Sequence, residues 1–272
     1  MSSEMEKDVL IIIPAYNEEQ TIAQVLNELS NIHVSEYADI LVMNDASKDN
    51  TNYIAKKENC ILVTHVFNLG YGAAVQLGYK YAVRKGYKFV VQIDADGQHD
   101  VSNIPKILET LKTKDESGRY PDIVIGSRYL SESGTYHTSG LKKFAIGLFC
   151  REIKRLTGKK ITDPTSGLQG FRFPAFLYYS KYGNFDHRYP DANMILQMLL
   201  LKFNVKEIPA NMHNRVSGKG MHSGLKPFVY MCWMALSMFG IIVRYKWLKI
   251  DEGIGEEDVI WEKKRGNYTT EI

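Results

Sequence analysis

The chain has 272 residues, 44% of them hydrophobic and 24% charged, and this composition is ordinary for a globular protein with a sizeable core. Its net charge of +3 is mild, which argues against nucleic-acid binding. The amino terminus is polar and leads straight into a predicted strand, so we expect no signal peptide. Three widely spaced cysteines, Cys60, Cys150 and Cys232, form no metal-ligand pattern, and we expect reduced thiols in a cytoplasmic protein.

Predicted strands and helices alternate along the chain. Short apolar runs bounded by turn residues predict the strands, and apolar residues at helical spacing, such as Ile22, Val25 and Leu29, predict the helices between them. This alternation predicts an α/β fold with a mostly parallel sheet and helices on both faces. The predicted strands are Val9–Ile13, Ile40–Met43, Ile61–His65, Phe89–Ile93, Asp122–Ile125 and Val205–Ile208.

The fourth predicted strand, Phe89–Ile93, leads into a short acidic motif. Its apolar, mostly β-branched residues are typical of a buried central strand. Asp94 and Asp96 follow with the small Ala95 between them, and Gln98 adds an amide oxygen. Mg²⁺ and Mn²⁺ prefer such oxygen ligands and are usually completed by substrate phosphates and water. The motif therefore predicts a metal site, although an acidic turn after a strand would have the same sequence.

Polar residues and glycines also follow two earlier strands. Asp45 and Ser47 come after the second strand, at the edge where open α/β sheets bind ligands, although such residues are also common helix caps. Gly70 and Gly72 open a helix after the third strand, where the backbone can approach an anion. Neither a complete Gly-x-Gly-x-x-Gly fingerprint nor a Gly-Lys-Ser/Thr motif is present, which disfavours a Rossmann oxidoreductase and a P-loop enzyme.

An uncharged apolar segment, Phe228–Val243, lies near the carboxyl terminus. Sixteen helical residues extend about 24 Å, less than the roughly 30 Å of a bilayer core, so a spanning helix is disfavoured. Aromatic and basic flanks favour an interfacial helix at a membrane surface, and a helix of the soluble core remains the alternative.

Several ordered motifs resemble those of inverting family 2 glycosyltransferases of the GT-A fold. They are Ile12–Glu18, Asn44–Asp49, Asn68–Ala73 and Asp94–His99. Within that family the chain looks most like the dolichyl- and polyprenyl-phosphate sugar synthases, through Ile104-Pro105, Gly126–Arg128, Asp163–Gly167 and Phe171-Arg172. Tyr71 and the 189–193 segment depart from the family pattern, and the multi-span membrane region of many members of this branch is absent.

The resemblance implies a domain organisation and a set of donor-binding residues. The GT-A domain would cover residues 1–222, with a nucleotide half at about 8–128 and an acceptor half at about 129–222. A membrane- or partner-associating helix at 223–250 and a charged tail at 251–272 would follow. Asp94, Asp96 and Gln98 would hold Mg²⁺ or Mn²⁺ on the donor diphosphate. The implied nucleotide-binding residues are Pro14, Ala15, Tyr16, Asn17, Glu18, Asp45, Ser47, Asn68, Gly70, Gly72, Asp94, Ala95 and Asp96.

Protonation separates two classes of acceptor. A sugar hydroxyl must lose a proton and needs a carboxylate base, for which Asp191 is the candidate unless it only caps the following helix. A polyprenyl phosphate is already an anion and needs cationic residues for positioning, with Arg128 and Arg215 as the candidates in motif positions. The residues assigned to acceptor or phosphate binding are Arg128, Ser166, Arg172, Arg215 and Lys219.

The sequence therefore predicts a metal-dependent inverting glycosyltransferase. It would transfer a hexose from a UDP- or GDP-linked sugar to polyprenyl or dolichyl phosphate at the cytoplasmic membrane face. A transferase acting on a glycan hydroxyl is the alternative, and a sugar-1-phosphate nucleotidyltransferase or a non-catalytic sugar-nucleotide-binding subunit is disfavoured. A membrane surface, a membrane protein or a second copy of the chain are the further partners considered.

Overall fold

The computed structural model describes residues 7–130, 140–213 and 226–250. Within this part of the chain we number seven strands and eight α-helices, with a 3₁₀ turn at Val34–Glu36 and a π-helical turn at Val243–Trp247. The strands are β1 (Val9–Ala15), β2 (Ala38–Asn44), β3 (Ile61–Thr64), β4 (Phe89–Gln92), β5 (Ile123–Ser127), β6 (Gln169–Arg172) and β7 (Val205–Pro209). The helices are α1 (Ile22–Asn31), α2 (Thr51–Ala55), α3 (Tyr71–Lys85), α4 (Asn103–Leu111), α5 (Gly140–Thr157), α6 (Phe173–Ser180), α7 (Ala192–Leu200) and α8 (Lys226–Ile242).

The strands form one sheet in the order β3-β2-β1-β4-β6-β5-β7. The pairs β1–β2, β1–β4, β2–β3 and β5–β7 are parallel, whereas β6 is antiparallel to both of its neighbours. The prediction of a mostly parallel α/β sheet is therefore confirmed. Sequence analysis missed β6, because Gln169–Arg172 holds a glycine and two polar residues and has no strand-like apolar pattern.

Both faces of the sheet are covered by helices, as predicted. Alternate residues of β1 enter two separate hydrophobic cores, with Leu10 and Ile12 in one and Ile11 and Ile13 in the other. Helices α3, α5, α6, α7 and α8 pack on the first face, and α1, α2 and α4 pack on the second. Because β1 is buried on both faces, its sequence is a continuous apolar run rather than an alternating one.

Helix α8 begins two residues before the predicted apolar segment and ends one residue inside it. Met234 and Met238 on one side of the helix are buried in the first core. No helix in the described part of the chain is both long enough and apolar enough to cross a membrane. The domain boundaries drawn from the sequence stay predictions, and the tail at 251–272 lies outside the described residues.

Candidate active site

The loops after β1 and β2 are joined at the carboxyl edge of the sheet. The Asn17 amide donates to Ser47 Oγ over 3.0 Å, and Asn17 Oδ1 accepts from the Lys48 amide over 2.8 Å. Asn17 and Ala46 both have φ of +56°, a left-handed conformation that brings the two loops together. Pro14 and Ala15 lie within β1 rather than in the predicted turn, and Tyr16 is exposed at the end of this strand. These two loops lie at the edge of the sheet where the sequence predicts a nucleotide site.

Asp45 organises the next loop along the edge. Its carboxylate accepts from the amides of Leu69 and Gly70 over 2.9 and 2.8 Å, and lies 2.7 Å from His65 Nδ1. The Asn68 side chain donates to the Asp45 carbonyl over 3.3 Å. The carboxylate thus fixes the start of α3, and its predicted contact with a base or ribose stays a prediction.

The first acidic residue after β4, Asp94, belongs to a buried chain of hydrogen bonds. The Tyr71 hydroxyl donates to Asp94 Oδ1 over 2.9 Å and accepts from Gln92 Nε2 over 2.8 Å, while Tyr79 donates to Gln92 Oε1 over 2.8 Å. Burial, and then the charge of Asp94, raises the pKa of Tyr71 well above its usual range. Tyr71 therefore remains a neutral donor that fixes the orientation of the Asp94 carboxylate.

Asp94 is also enclosed by a glycine and a histidine. A Cβ atom at Gly167 would collide with the Asp94 carboxylate, so any other residue there would require the Asp94 side chain or the loop to move. The Asp94 amide donates to His99 Nδ1 over 3.0 Å, and His99 Nε2 lies 3.6 Å from Asp94 Oδ2. His99 thus holds the backbone of the acidic motif from the buried side. The Asp94 side chain still has 30% of its surface exposed.

The second carboxylate of the motif is that of Asp96, and with Gln98 it adds oxygen atoms of the kind that a hard cation prefers. Asp96 and Gln98 are half-buried, and Asp96 Oδ1 accepts from the Gln98 amide over 3.0 Å. Within the ranges that the structure describes, no cluster of three or more His, Cys, Asp or Glu side chains could hold a metal. Two carboxylates and an amide are nevertheless the partial oxygen set that suits an ion completed by substrate phosphates. The residues present therefore fit the predicted ion only together with a diphosphate.

Asp191, the candidate base, lies at the start of α7. It occupies the N-cap position, but its side chain makes no capping hydrogen bond. Instead Asp191 Oδ2 accepts from the Tyr230 hydroxyl of α8 over 2.7 Å. Burial, and then the charge of Asp191, raises the pKa of Tyr230, so this hydroxyl also remains a neutral donor. Of the two interpretations drawn from the sequence, the helix cap is not supported by the geometry, and the role of base stays a prediction.

Arg128 forms a buried ion pair with Asp163. Its Nε and Nη2 atoms each lie 2.6 Å from an oxygen of Asp163, which is fully buried, and Nη2 also donates to Thr165 Oγ1 over 2.9 Å. Arg128 thereby fixes the 163–165 turn, which leads to Gly167 beside Asp94. Its predicted phosphate contact stays a prediction.

Two of the predicted acceptor residues do not present their side chains to an acceptor at the carboxyl edge of the sheet, and these assignments are corrected. Ser166 is 2% exposed and donates to the Gly126 carbonyl over 2.7 Å, so its hydroxyl supports the fold. Arg172 pairs with Phe89 at the amino end of β4, whereas Asp94 follows the carboxyl end of that strand. The antiparallel direction of β6, which sequence analysis missed, is the reason for this error. Arg215 and Lys219 lie outside the described residues.

Sequence analysis missed two hydroxyls of the site, Tyr71 and Tyr230. Tyr71 stood out only as a departure from the family pattern, and its geometry gives the reason for a hydroxyl there. Tyr230 was hidden in an apolar segment, where a polar side chain of a helix needs a partner if it is buried. Tyr71 donates to Asp94, and Gly72, the next residue of α3, packs against the backbone of Asp186 and His187, shortly before Asp191. The start of α3 therefore lies between the acidic motif after β4 and the segment that leads to Asp191.

The fold and the acidic residues at its carboxyl edge define a GT-A-fold glycosyltransferase, and the protein is an enzyme of this class. The chain belongs to glycosyl transferase family 2, whose sequence profile matches residues 10–179. This confirms the family resemblance drawn from the motifs.

Named relatives and solved structures are similar to the chain over most of its length. The UDP-N-acetylglucosamine–dolichyl-phosphate N-acetylglucosaminyltransferase of Methanococcus voltae is 31% identical, over 75% of this chain and 85% of its own. The dolichol-phosphate mannosyltransferase of Pyrococcus furiosus is 27% identical, over 92% of this chain and 74% of its own. Glucosyl-3-phosphoglycerate synthase of Mycobacterium tuberculosis, solved with Mn²⁺, UDP and glucosyl-3-phosphoglycerate, superposes with a TM-score of 0.59 at 15% identity. That superposition covers 87% of this chain and 79% of the other.

Proposed function

We propose that this enzyme transfers a hexose from a UDP- or GDP-linked sugar to a polyprenyl or dolichyl phosphate, with Mg²⁺ or Mn²⁺ bound at Asp94 and Asp96. The observation that carries the proposal is the packing of the start of α3, which holds Tyr71 and through it Asp94, against the Asp186 and His187 backbone that leads to Asp191. The names of the relatives from Methanococcus voltae and Pyrococcus furiosus support a lipid-phosphate acceptor. The Mn²⁺ and UDP in the Mycobacterium tuberculosis structure support the donor and the ion.

On the donor side, negative charge grows on a nucleoside diphosphate as the bond to the sugar breaks. A divalent ion bound there would neutralise this charge as a Lewis acid. Asp94, held by Tyr71, and Asp96, held by the Gln98 amide, would keep their carboxylates in position for it. Gln98 is the candidate for a third oxygen ligand.

On the acceptor side, a lipid phosphate needs no general base, because it is already ionised at pH 7. It needs cationic or hydrogen-bonding groups that position one phosphate oxygen for attack. Arg128, bound to Asp163, and Tyr230, bound to Asp191, are the candidates among the described residues, and Arg215 and Lys219 are further candidates from the sequence. The enzyme would work as a peripheral protein on the cytoplasmic face of the membrane.

The acceptor class is tested by following labelled sugar into an organic extract. A polyprenyl phosphate acceptor predicts that label moves into the lipid phase as a product that resists alkali and is cleaved by mild acid. Label that remains with water-soluble or insoluble glycan would contradict the proposal.

The metal site is tested with Asp96→Asn, and Glu109→Gln on the exposed face of α4 serves as the control. We expect the first variant to lose transfer with an unchanged fold, and the control to keep full activity. Full activity of the unmodified enzyme in excess chelator would overturn the metal assignment.

A glycan hydroxyl is the second candidate acceptor. The observation that favours it is that the Asp191 side chain makes no hydrogen bond that caps α7. A carboxylate that is not used as a helix cap, and that follows the segment packed against the start of α3, is a candidate general base. Loss of transfer in Asp191→Asn, with the pH dependence of a single ionising base, would support this reading over the lipid phosphate.

A further inference from the structure

Helix α8 has an exposed apolar face within the described part of the chain. Val229, Trp233, Leu236 and Phe239 are all exposed, Leu236 by 65%, and they recur at intervals of three and four residues. Such spacing places them on one side of the helix, opposite the buried Met234. An apolar stripe of this kind on an otherwise soluble domain indicates a contact surface.

The opposite side of α8 is hydrogen-bonded to the acceptor side of the site. Tyr230 donates to Asp191, and the Ser237 hydroxyl accepts from Asn193 Nδ2 over 2.8 Å. Ser237 also donates to Asp186 Oδ2 over 3.2 Å. The helix is therefore fixed to the enzyme by polar contacts, and its outer face stays available for a partner.

The sequence that contains this helix is basic. Residues 214–250 contain six lysine and arginine residues and no aspartate or glutamate. Lys246 and Lys249 are exposed just after α8. From the facing segment, Arg188 lies over the Trp233 ring at 4.9 Å and lines a cavity of about 290 Å³ beside it. An apolar face with aromatic and basic neighbours is complementary to an anionic lipid surface.

We propose that the outer face of α8 binds the surface of an anionic lipid bilayer, with the helix lying in the plane of the membrane. A helix of 17 residues extends about 26 Å, less than the roughly 30 Å of the hydrocarbon core. A partner protein or a second copy of the chain could also cover this face. Neither of them explains why residues 214–250 contain no acidic residue, whereas an anionic lipid surface does.

The orientation has a consequence for the reaction, which rests on the proposed function. A helix is about 10 Å across, and an interfacial helix enters the acyl boundary by about 5–10 Å. Asp191 and Tyr230 on the inner side would therefore lie near the level of lipid phosphates. The acceptor side of the site could then bind the phosphate group of a polyprenyl phosphate while the lipid chain stays in the bilayer.

Sedimentation with vesicles tests the surface directly. The full chain should bind vesicles of phosphatidylcholine with 30% phosphatidylglycerol, and bind phosphatidylcholine alone more weakly. Trp233→Ser with Leu236→Ser, and separately Lys246→Glu with Lys249→Glu, should each reduce binding about tenfold or more at unchanged melting temperature. Tyr53→Ser removes a comparably exposed aromatic side chain from α2 and should leave binding unchanged.

The three native cysteines supply a second readout in the unmodified protein. Cys232 is exposed on α8, whereas Cys60 and Cys150 are half-buried and burial raises the pKa of each thiol to about 11. A water-soluble maleimide should label Cys232 first, and anionic vesicles should slow that labelling about tenfold. Labelling of Cys232 at an unchanged rate on bound vesicles would overturn the proposal.

Two further outcomes would also overturn it. Vesicle binding that survives both double substitutions would place the membrane contact elsewhere. A dimer that the Trp233→Ser, Leu236→Ser variant converts to a monomer would make the face a subunit interface. Vesicle binding is measured without donor or acceptor, so a negative result would reject the membrane contact and leave the proposed reaction untouched. Transfer to a water-soluble short-chain prenyl phosphate would test the reaction separately, without a membrane.

Discussion

At the scale of single residues, the hydroxyl of Tyr71 determines the direction of the Asp94 carboxylate. It accepts a hydrogen bond from Gln92 and donates one to Asp94, and the Tyr71 side chain is half-buried. If Asp94 binds the proposed ion, a side chain that orients its carboxylate would act on the ion through that carboxylate. We therefore expect Tyr71 to be a positioning residue rather than a ligand.

Tyr71→Phe removes this hydrogen bond and leaves the aromatic ring. We expect the affinity for Mn²⁺, measured by calorimetry with UDP or GDP present, to fall about 10- to 100-fold, with a parallel rise in the Mn²⁺ concentration needed for activity. Tyr81→Phe on the same helix is the matched control and should change neither. Unaltered Mn²⁺ affinity in the first variant would remove Tyr71 from the metal site.

Gly167 controls the space beside the same carboxylate. Gly167→Ala would place a methyl group against Asp94 and displace its oxygens, and a displacement of about 1 Å can reduce the rate roughly 100-fold. Gly147→Ala in α5 meets no neighbouring atom and should keep full activity with slightly higher stability. Steady-state rates and melting temperatures of the two variants check this, and equal activity would show that the loop can shift.

At the scale of the elements, the loop before β6 is attached to the end of β5 by the ion pair of Arg128 with Asp163. Asp163 is fully buried, so removing its partner leaves an uncompensated charge. Arg128→Ala should therefore lower the free energy of unfolding by about 3–5 kcal/mol in urea titrations. Arg155→Ala breaks an exposed pair on α5 and should have little measurable effect. If Arg128→Ala keeps its stability but loses transfer, the guanidinium serves the acceptor phosphate instead.

The elements also show where sequence reasoning succeeded. Asp45 and Asp94 each follow a strand of a parallel sheet, and parallel strands share one carboxyl edge, so their common location was predictable. Arg172 was misplaced, because a four-residue strand with polar residues gives no periodic signal and its direction depends on pairing with distant strands. Tyr230 could not be assigned to Asp191, because only the packing of α8 on α7 brings them together.

At the scale of the whole molecule, donor binding should stabilise the folded protein. A ligand that binds only the folded state at about 100 times its Kd contributes about 2.7 kcal/mol, or roughly 5–10 °C in melting temperature for a chain of this size. We expect such a shift from one of UDP-glucose, UDP-N-acetylglucosamine or GDP-mannose with Mn²⁺. The shift should be lost in Asp96→Asn. An equal shift from every nucleotide sugar in chelator would mean that neither the base nor an ion contributes to binding.

The position of β6 has a consequence for how the polypeptide matures on the ribosome. The strand that leads to Asp94 and the strand that leads to Arg128 do not touch each other, since β6 lies between them in the sheet. Until residues 169–172 have been synthesised, both strands keep an open edge toward the missing one. We therefore expect that the predicted nucleotide and acceptor halves do not fold one after the other as independent units, and that the amino-terminal half of the nascent chain waits for a later segment to close its sheet.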